Sequence, residues 1–179
     1  MNISQLILQL SGKIDDNAYE ASDSLGHIGT EEVVTALVKL LKHDNSESRI
    51  LAARTLGLIK ENEKALDPLL EAISAKENAA CAGELLVALE GFDVSQKYVD
   101  LFKLFLFGGF KVSMIAKELL DYQEFDITPR VLKKATKHWN HYSNNVKQDE
   151  VYELRKIEVE GVLNDIKKYI SENSPNHIE

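Results

Sequence analysis

Along most of the chain apolar residues recur at spacings of three and four, which places them on one helical face, and the alternation expected of strands is missing. The pattern also returns at longer range. Four Ala-x-x-x-Leu pairs, Ala21/Leu25, Ala52/Leu56, Ala82/Leu86 and Ala116/Leu120, follow one another at steps of 31, 30 and 34 residues. A second series runs through the intervening segments at a constant step of 32: Val34, Leu66 and Tyr98; Leu37, Leu69 and Leu101; Val38, Leu70 and Phe102; Leu41, Ile73 and Phe105. Two series in register predict repeated helix pairs, over about residues 17–43, 46–75, 78–107 and 110–140.

Punctuation falls between the two helices of each pair. The first helices end at "GT" (29–30), "KEN" (60–62) and "GFD" (91–93). Thr30 and Asp93 read as N-caps of the second helices, with Asp93 and Gln96 as a capping box and Asp44 and Glu47 in the same arrangement between the first two repeats. A pair of about 30 residues cannot bury both its faces alone, so such pairs stack into a quasi-one-dimensional array. The alanine of each Ala-x-x-x-Leu pair then lets neighbouring first helices approach, where a larger side chain would overpack the seam. The predicted fold is all-α: a right-handed α-α superhelix of about four helix pairs, forming a single domain over residues 1–173 of a 179-residue chain.

Two stretches depart from the repeat. "YVDLFKLFLFGGF" (98–110) is apolar on more than one side, since Leu106, Phe107 and Phe110 extend the stripe of Tyr98, Leu101, Phe102 and Phe105. A helix of that kind is covered on more than one side. Residues 149–173 read as one long amphipathic helix with Val151, Leu154, Val159, Val162, Leu163, Ile166 and Ile170 apolar. That helix is expected to cap the stack within the chain, the alternative being that it docks on a partner. The ending "SENSPNHIE" reads as a loose tail, with 174–179 beyond the last helix.

Composition narrows the function classes. A formal net charge of −8 repels polyanions at long range and disfavours nucleic acid as a partner. No apolar run approaches the roughly 18 residues of a membrane span, and the N-terminal stretch has no basic region of a secretory leader. The single cysteine, Cys81, lies in "NAACAG", which gives no disulfide framework or zinc spacing and predicts a buried, inert thiol. A cytoplasmic protein is the expectation, monomeric or weakly homodimeric.

Chemistry is sparse. There is no phosphate-binding glycine loop and no H-E-x-x-H, and the carboxylate pairs Glu31/Glu32 and Glu61/Glu63 read as solvated charges near helix ends. His27 and His43 lie near helix ends and read as solvated. In "KHWNHY" (137–142), His138 and His141 share a helical face but have no third ligand at fixed spacing, so neither a metal nor another cofactor is expected. Trp139 and Tyr142 are residue types that dominate interface hot spots, and they are candidate partner contacts, the alternative being simple packing. On the second helices, the positions between apolar residues are Thr35, Asp67 and Val99, then Lys39, Glu71 and Lys103. Of these Thr35, Lys39, Asp67, Glu71 and Lys103 are further candidate contacts, and their mixed charge suits a protein partner better than a polyanion.

The stretch 19–49 carries a family likeness. A small-residue first helix ending in Leu-Gly-x-Ile, with Gly26 and Ile28, then Leu40/Leu41, Asp44 and Arg49, resembles HEAT-like repeats of the kind found in phycobilisome lyases; Gly57 and Ile59 repeat it. The likeness covers about residues 18–76 and weakens in the third unit, where Val87 takes the glycine position. The ridged surface that stacked second helices present, with no catalytic signature beside it, makes a non-catalytic protein interaction scaffold the expected function. Relatives with activities supply the alternatives, a bilin lyase subunit or a HEAT-like DNA glycosylase. The second conflicts with the acidic charge. HEAT-like hydroxylases bind iron through His-Glu pairs, and no His-Glu dipeptide occurs here.

Overall fold

Side-chain caps and glycines set the helix boundaries. The computed structural model describes residues 2–173, so the expected tail at 174–179 lies outside the described residues. Within them the chain forms ten α-helices and no strand: α1 (Ile3–Ser11), α2 (Asp16–Ile28), α3 (Glu31–Leu40), α4 (Ser46–Leu58), α5 (Glu63–Ser74), α6 (Ala82–Val87), α7 (Tyr98–Phe107), α8 (Phe110–Tyr122), α9 (Pro129–Asn145) and α10 (Glu150–Glu172). The chain is thus an all-α helical repeat. Thr30 caps α3 as expected, accepting from the Val33 amide. Gly29 just before it closes α2 with φ 55°, a left-handed conformation that glycine adopts without Cβ strain.

Two other expected caps are displaced. Asn45, not Asp44, caps α4 by accepting from the Glu47 amide at 2.9 Å. Asp93 does not cap α7, which starts only at Tyr98, after a turn closed by the Lys97 amide on the Val94 carbonyl. Gln96 instead donates to the Asp126 carboxylate.

The contacts divide the chain into two compact units, residues 1–93 and 94–179, with the division inside the third repeat. In the first unit α2 packs on α4, α4 on α6, and α3 on both α4 and α5. The alanines of the series are buried at the seam: Ala21, Ala52 and Ala82 are at most 5% exposed. Glycines bring the backbones closer still. A Cβ on Gly26 would stand 2.9 Å from Leu58 Cβ, one on Gly57 would stand 2.7 Å from the Ala88 carbonyl oxygen, and one on Gly91 would stand 1.9 Å from the Gly57 carbonyl oxygen. This contact explains the third first helix: α6 gives way to a 3-10 turn at Ala88–Gly91 that lies directly on the end of α4.

Buried polar groups tie successive repeats together. Arg54 donates to Ser22 Oγ at 2.6 Å, Ser22 and Thr55 hydroxyls lie 2.7 Å apart, and Thr55 donates to the Leu51 carbonyl. With its proton committed to Leu51, Thr55 accepts from Ser22, so the chain of bonds is satisfied throughout. Asn62 donates to the carbonyls of Leu56 and Gly91, each at 3.0 Å, and joins the end of α4 to the 3-10 turn.

In the second unit α7 packs on α8 and α9, and α9 on α10. Tyr98, Leu101, Phe102, Phe105 and Leu106 are buried, whereas Phe107 is half exposed and Phe110 is 87% exposed, so the apolar stretch is covered only up to Phe107. The long last helix buries Tyr152, Val159, Leu163 and Ile166. Arg155 donates to the Phe105 carbonyl and to Ser113 Oγ, the latter at 2.9 Å, and lies 4.6 Å from the centre of the Phe105 ring. Thus α10 covers the aromatic side of α7. Val151 and Leu154, expected on the buried stripe, are 66% and 70% exposed because Tyr152 and Val159 define the inward face.

Candidate interaction surface

The second helices of the first two repeats lie side by side. The Glu31 carboxylate at the start of α3 pairs with Lys64 at the start of α5, 33 residues on, across the surface of the two helices. The pair holds the Glu31 carboxyl below, and the Lys64 ammonium above, their usual ranges, in each case chiefly through the hydrogen bond between them. The inward faces carry Val33, Val34, Leu37, Leu66, Leu69 and Ile73. The outward positions are then fixed by helix geometry, and Thr35, Lys39, Asp67 and Glu71 are all exposed there.

Toward the C-terminal ends of α3 and α5 this surface hollows into a groove of about 720 Å3. Its floor includes Val38, Leu41, Pro68 and Ala72, and its rim carries Lys42 and His43 opposite Glu71 and Glu77. Arg49 braces the near wall by donating to the His43 and Asp44 carbonyls, at 2.5 and 2.9 Å, and so ties the α3–α4 turn to α4. Of the four candidates on these helices only Glu71 lines the groove. The groove itself was not foreseen: Arg49 and Pro68 signal it, the first as a long donor after a helix end, the second as a residue inside α5.

The other candidates belong to the second unit. Lys103 is exposed on α7, and its charge helps lower the pKa of His138, after burial, the largest cause, and together with Lys137 and His141. Trp139 is 6% exposed, which corrects its reading as a surface contact. Its ring stacks on Tyr152 of α10 at 6.0 Å and on Tyr142 at 5.8 Å. Tyr142 is half buried and meets Phe107 edge-on at 5.6 Å. Both rings therefore serve the α9–α10 contact. Cys81 is buried with its sulfur 3.9 Å from Asn78 Oδ1. Among the described residues no helix is long and apolar enough to cross a membrane.

Comparison with known families matches residues 3–90 to HEAT repeats. No curated protein matches the chain. The matched residues run from α1 to the 3-10 turn on Gly57, so the likeness and the first compact unit coincide. The chain is an all-α helical repeat protein whose first unit is similar to HEAT repeats.

Proposed function

We propose that the protein is a non-catalytic interaction module that holds a protein partner on the α3–α5 face. The observation that carries this reading is the groove between Val38 and Pro68, an apolar floor rimmed by charges of both signs beside the exposed Thr35, Lys39 and Asp67. Such a surface suits an apolar peptide segment flanked by mixed charges, where complementarity fixes register and rejects wrong partners. The protein works in the cytoplasm, in keeping with its unpaired buried thiol, as a monomer or weak dimer that needs no cofactor. Its repeats are of the phycobilisome-lyase type, a reading supported by Gly26, Ile28, Gly57 and Ile59.

The test is affinity capture from native lysate with the full chain, comparing wild type with Lys39→Glu/Glu71→Lys and with Glu20→Lys on α2. The α3–α5 reversal should lose the captured partner and the α2 variant should retain it. Equal capture by all three would refute the assignment of the surface.

A further inference from the structure

The second unit contains a cavity of about 290 Å3 between α7, α8, the 123–128 loop and α10. Its walls are largely aromatic. Tyr98 stacks on Phe102 at 5.9 Å and meets Phe125 edge-on at 5.2 Å, and Phe105 packs on Phe102 at 6.3 Å. Tyr98 is 4% exposed, and its hydroxyl is buried with no hydrogen-bond partner among the described residues. A buried hydroxyl left in that condition is destabilising, so a cavity wall that retains one calls for an explanation.

The charges around the cavity are unequal. Among the described residues Lys117 supplies the one ammonium on the wall, and it is already shared, paired with Asp121 and 3.3 Å from Glu158. Asp165 lines the same cavity from α10 and makes no ion pair among the described residues. An anion entering here would compete with two carboxylates for Lys117 and face a third. A cation would meet the free Asp165 carboxylate and the faces of the rings, which attract positive charge. Burial, then the charge of Asp121, pushes the Tyr98 phenol up to about 12, so it stays neutral and its oxygen can accept a hydrogen bond from an ammonium group.

We infer that this cavity is a binding site for a small arylalkylamine, its ring among Phe102, Phe105 and Phe125 and its ammonium group between Tyr98 and Asp165. The volume lies at the lower edge of ligand pockets, about 300–1,000 Å3, which limits the ligand to on the order of ten non-hydrogen atoms. The site is separate from the α3–α5 surface and independent of the interaction reading.

The experiment is an NMR titration of the full-length protein at neutral pH with 2-phenylethylamine, 2-phenylethanol and 3-phenylpropionate, which share a ring and differ in charge. The amine should shift resonances of α7 and α10 saturably and bind about tenfold tighter than the carboxylate. Tyr98→Phe should weaken amine binding about fivefold or more while melting no lower than wild type, because it removes an unpaired hydroxyl and keeps the ring. Asp165→Asn should reduce the preference for the amine over the alcohol. The inference is overturned if none of the three binds at about 10 mM, if the carboxylate binds as well as the amine, or if Tyr98→Phe binds the amine unchanged.

Discussion

Replacing Gly91 by alanine adds one methyl group, and the structure places that methyl 1.9 Å from the Gly57 carbonyl oxygen. Ordinary contact begins near 3.4 Å, so the 3-10 turn and the end of α4 must separate by more than an ångström. Neither atom sits on a flexible side chain that could yield. Overpacking of this kind costs about 1–3 kcal/mol and at times more, and stiffening the unfolded chain returns about 0.4–1 kcal/mol. A net loss of about 2 kcal/mol follows, with the Asn62 bond to the Gly91 carbonyl weakened as well. Gly161→Ala in α10 is the internal control, because nothing lies within 4 Å of its added Cβ. There the same methyl should stabilise by up to about 1 kcal/mol through helix propensity alone. Urea unfolding followed by circular dichroism, with hydrogen exchange of residues 46–91 to localise the change, reads both. For a slope of about 2 kcal/mol per molar, the Gly91 variant should lose about 1 M in midpoint. A Gly91→Ala protein with the wild-type midpoint, slope and exchange pattern would refute the close approach of the two repeats.

Ala52→Leu should cost about 1–3 kcal/mol in the same urea melts, since Ala52 is fully buried in α4 at the repeat seam. Asn62→Ala should cost about 1–3 kcal/mol by taking the donor from the Gly91 carbonyl and one of two donors from the Leu56 carbonyl, which keeps the Ile59 amide, a loss visible as faster exchange at the end of α4. Truncation after residue 146 removes the helix that stacks on Trp139 and covers the α7 aromatics, so light scattering should report aggregation and the melting temperature should fall; a soluble truncation of equal stability would show that α10 does not cap the second unit.

The repeat was legible because burial at a helix seam imposes a period. Ala21, Ala52 and Ala82, and the second-helix series from Val34 to Leu69, all lie where the spacing put them. The closest contact was not legible in that way. Gly91 reads in sequence as part of a breaker, and nothing local tells that its backbone rests on Gly57, 34 residues earlier. The caps moved for a related reason. Asn45 and Asp44 are equally able to cap, and the actual start of α4 depends on Arg49 holding the preceding carbonyls. In α10 apolar residues occupy two faces, and the choice of Tyr152, Val159 and Leu163 over Val151 and Leu154 is made by Trp139 and α7. Trp139 carried the opposite ambiguity, since the same residue type suits an interface and a core. Of the candidate contacts, Thr35, Lys39, Asp67 and Glu71 are exposed along one pair of helices because the 32-residue step fixes rotation about each axis. The groove beside them and the Tyr98 cavity both depend on loops that carry no period.

The central claim is that the α3–α5 face holds a protein partner. Its most direct test is photocrosslinking in living cells from benzoylphenylalanine placed at Thr35 or Lys39, against the same probe at Glu20 on α2. All three positions are exposed. One discrete crosslinked product, identifiable by mass spectrometry, should form at both α3 positions and be missing from the α2 position. Crosslinking from Glu20 to that same product, or none from α3 while Glu20 gives a discrete product, would contradict the claim.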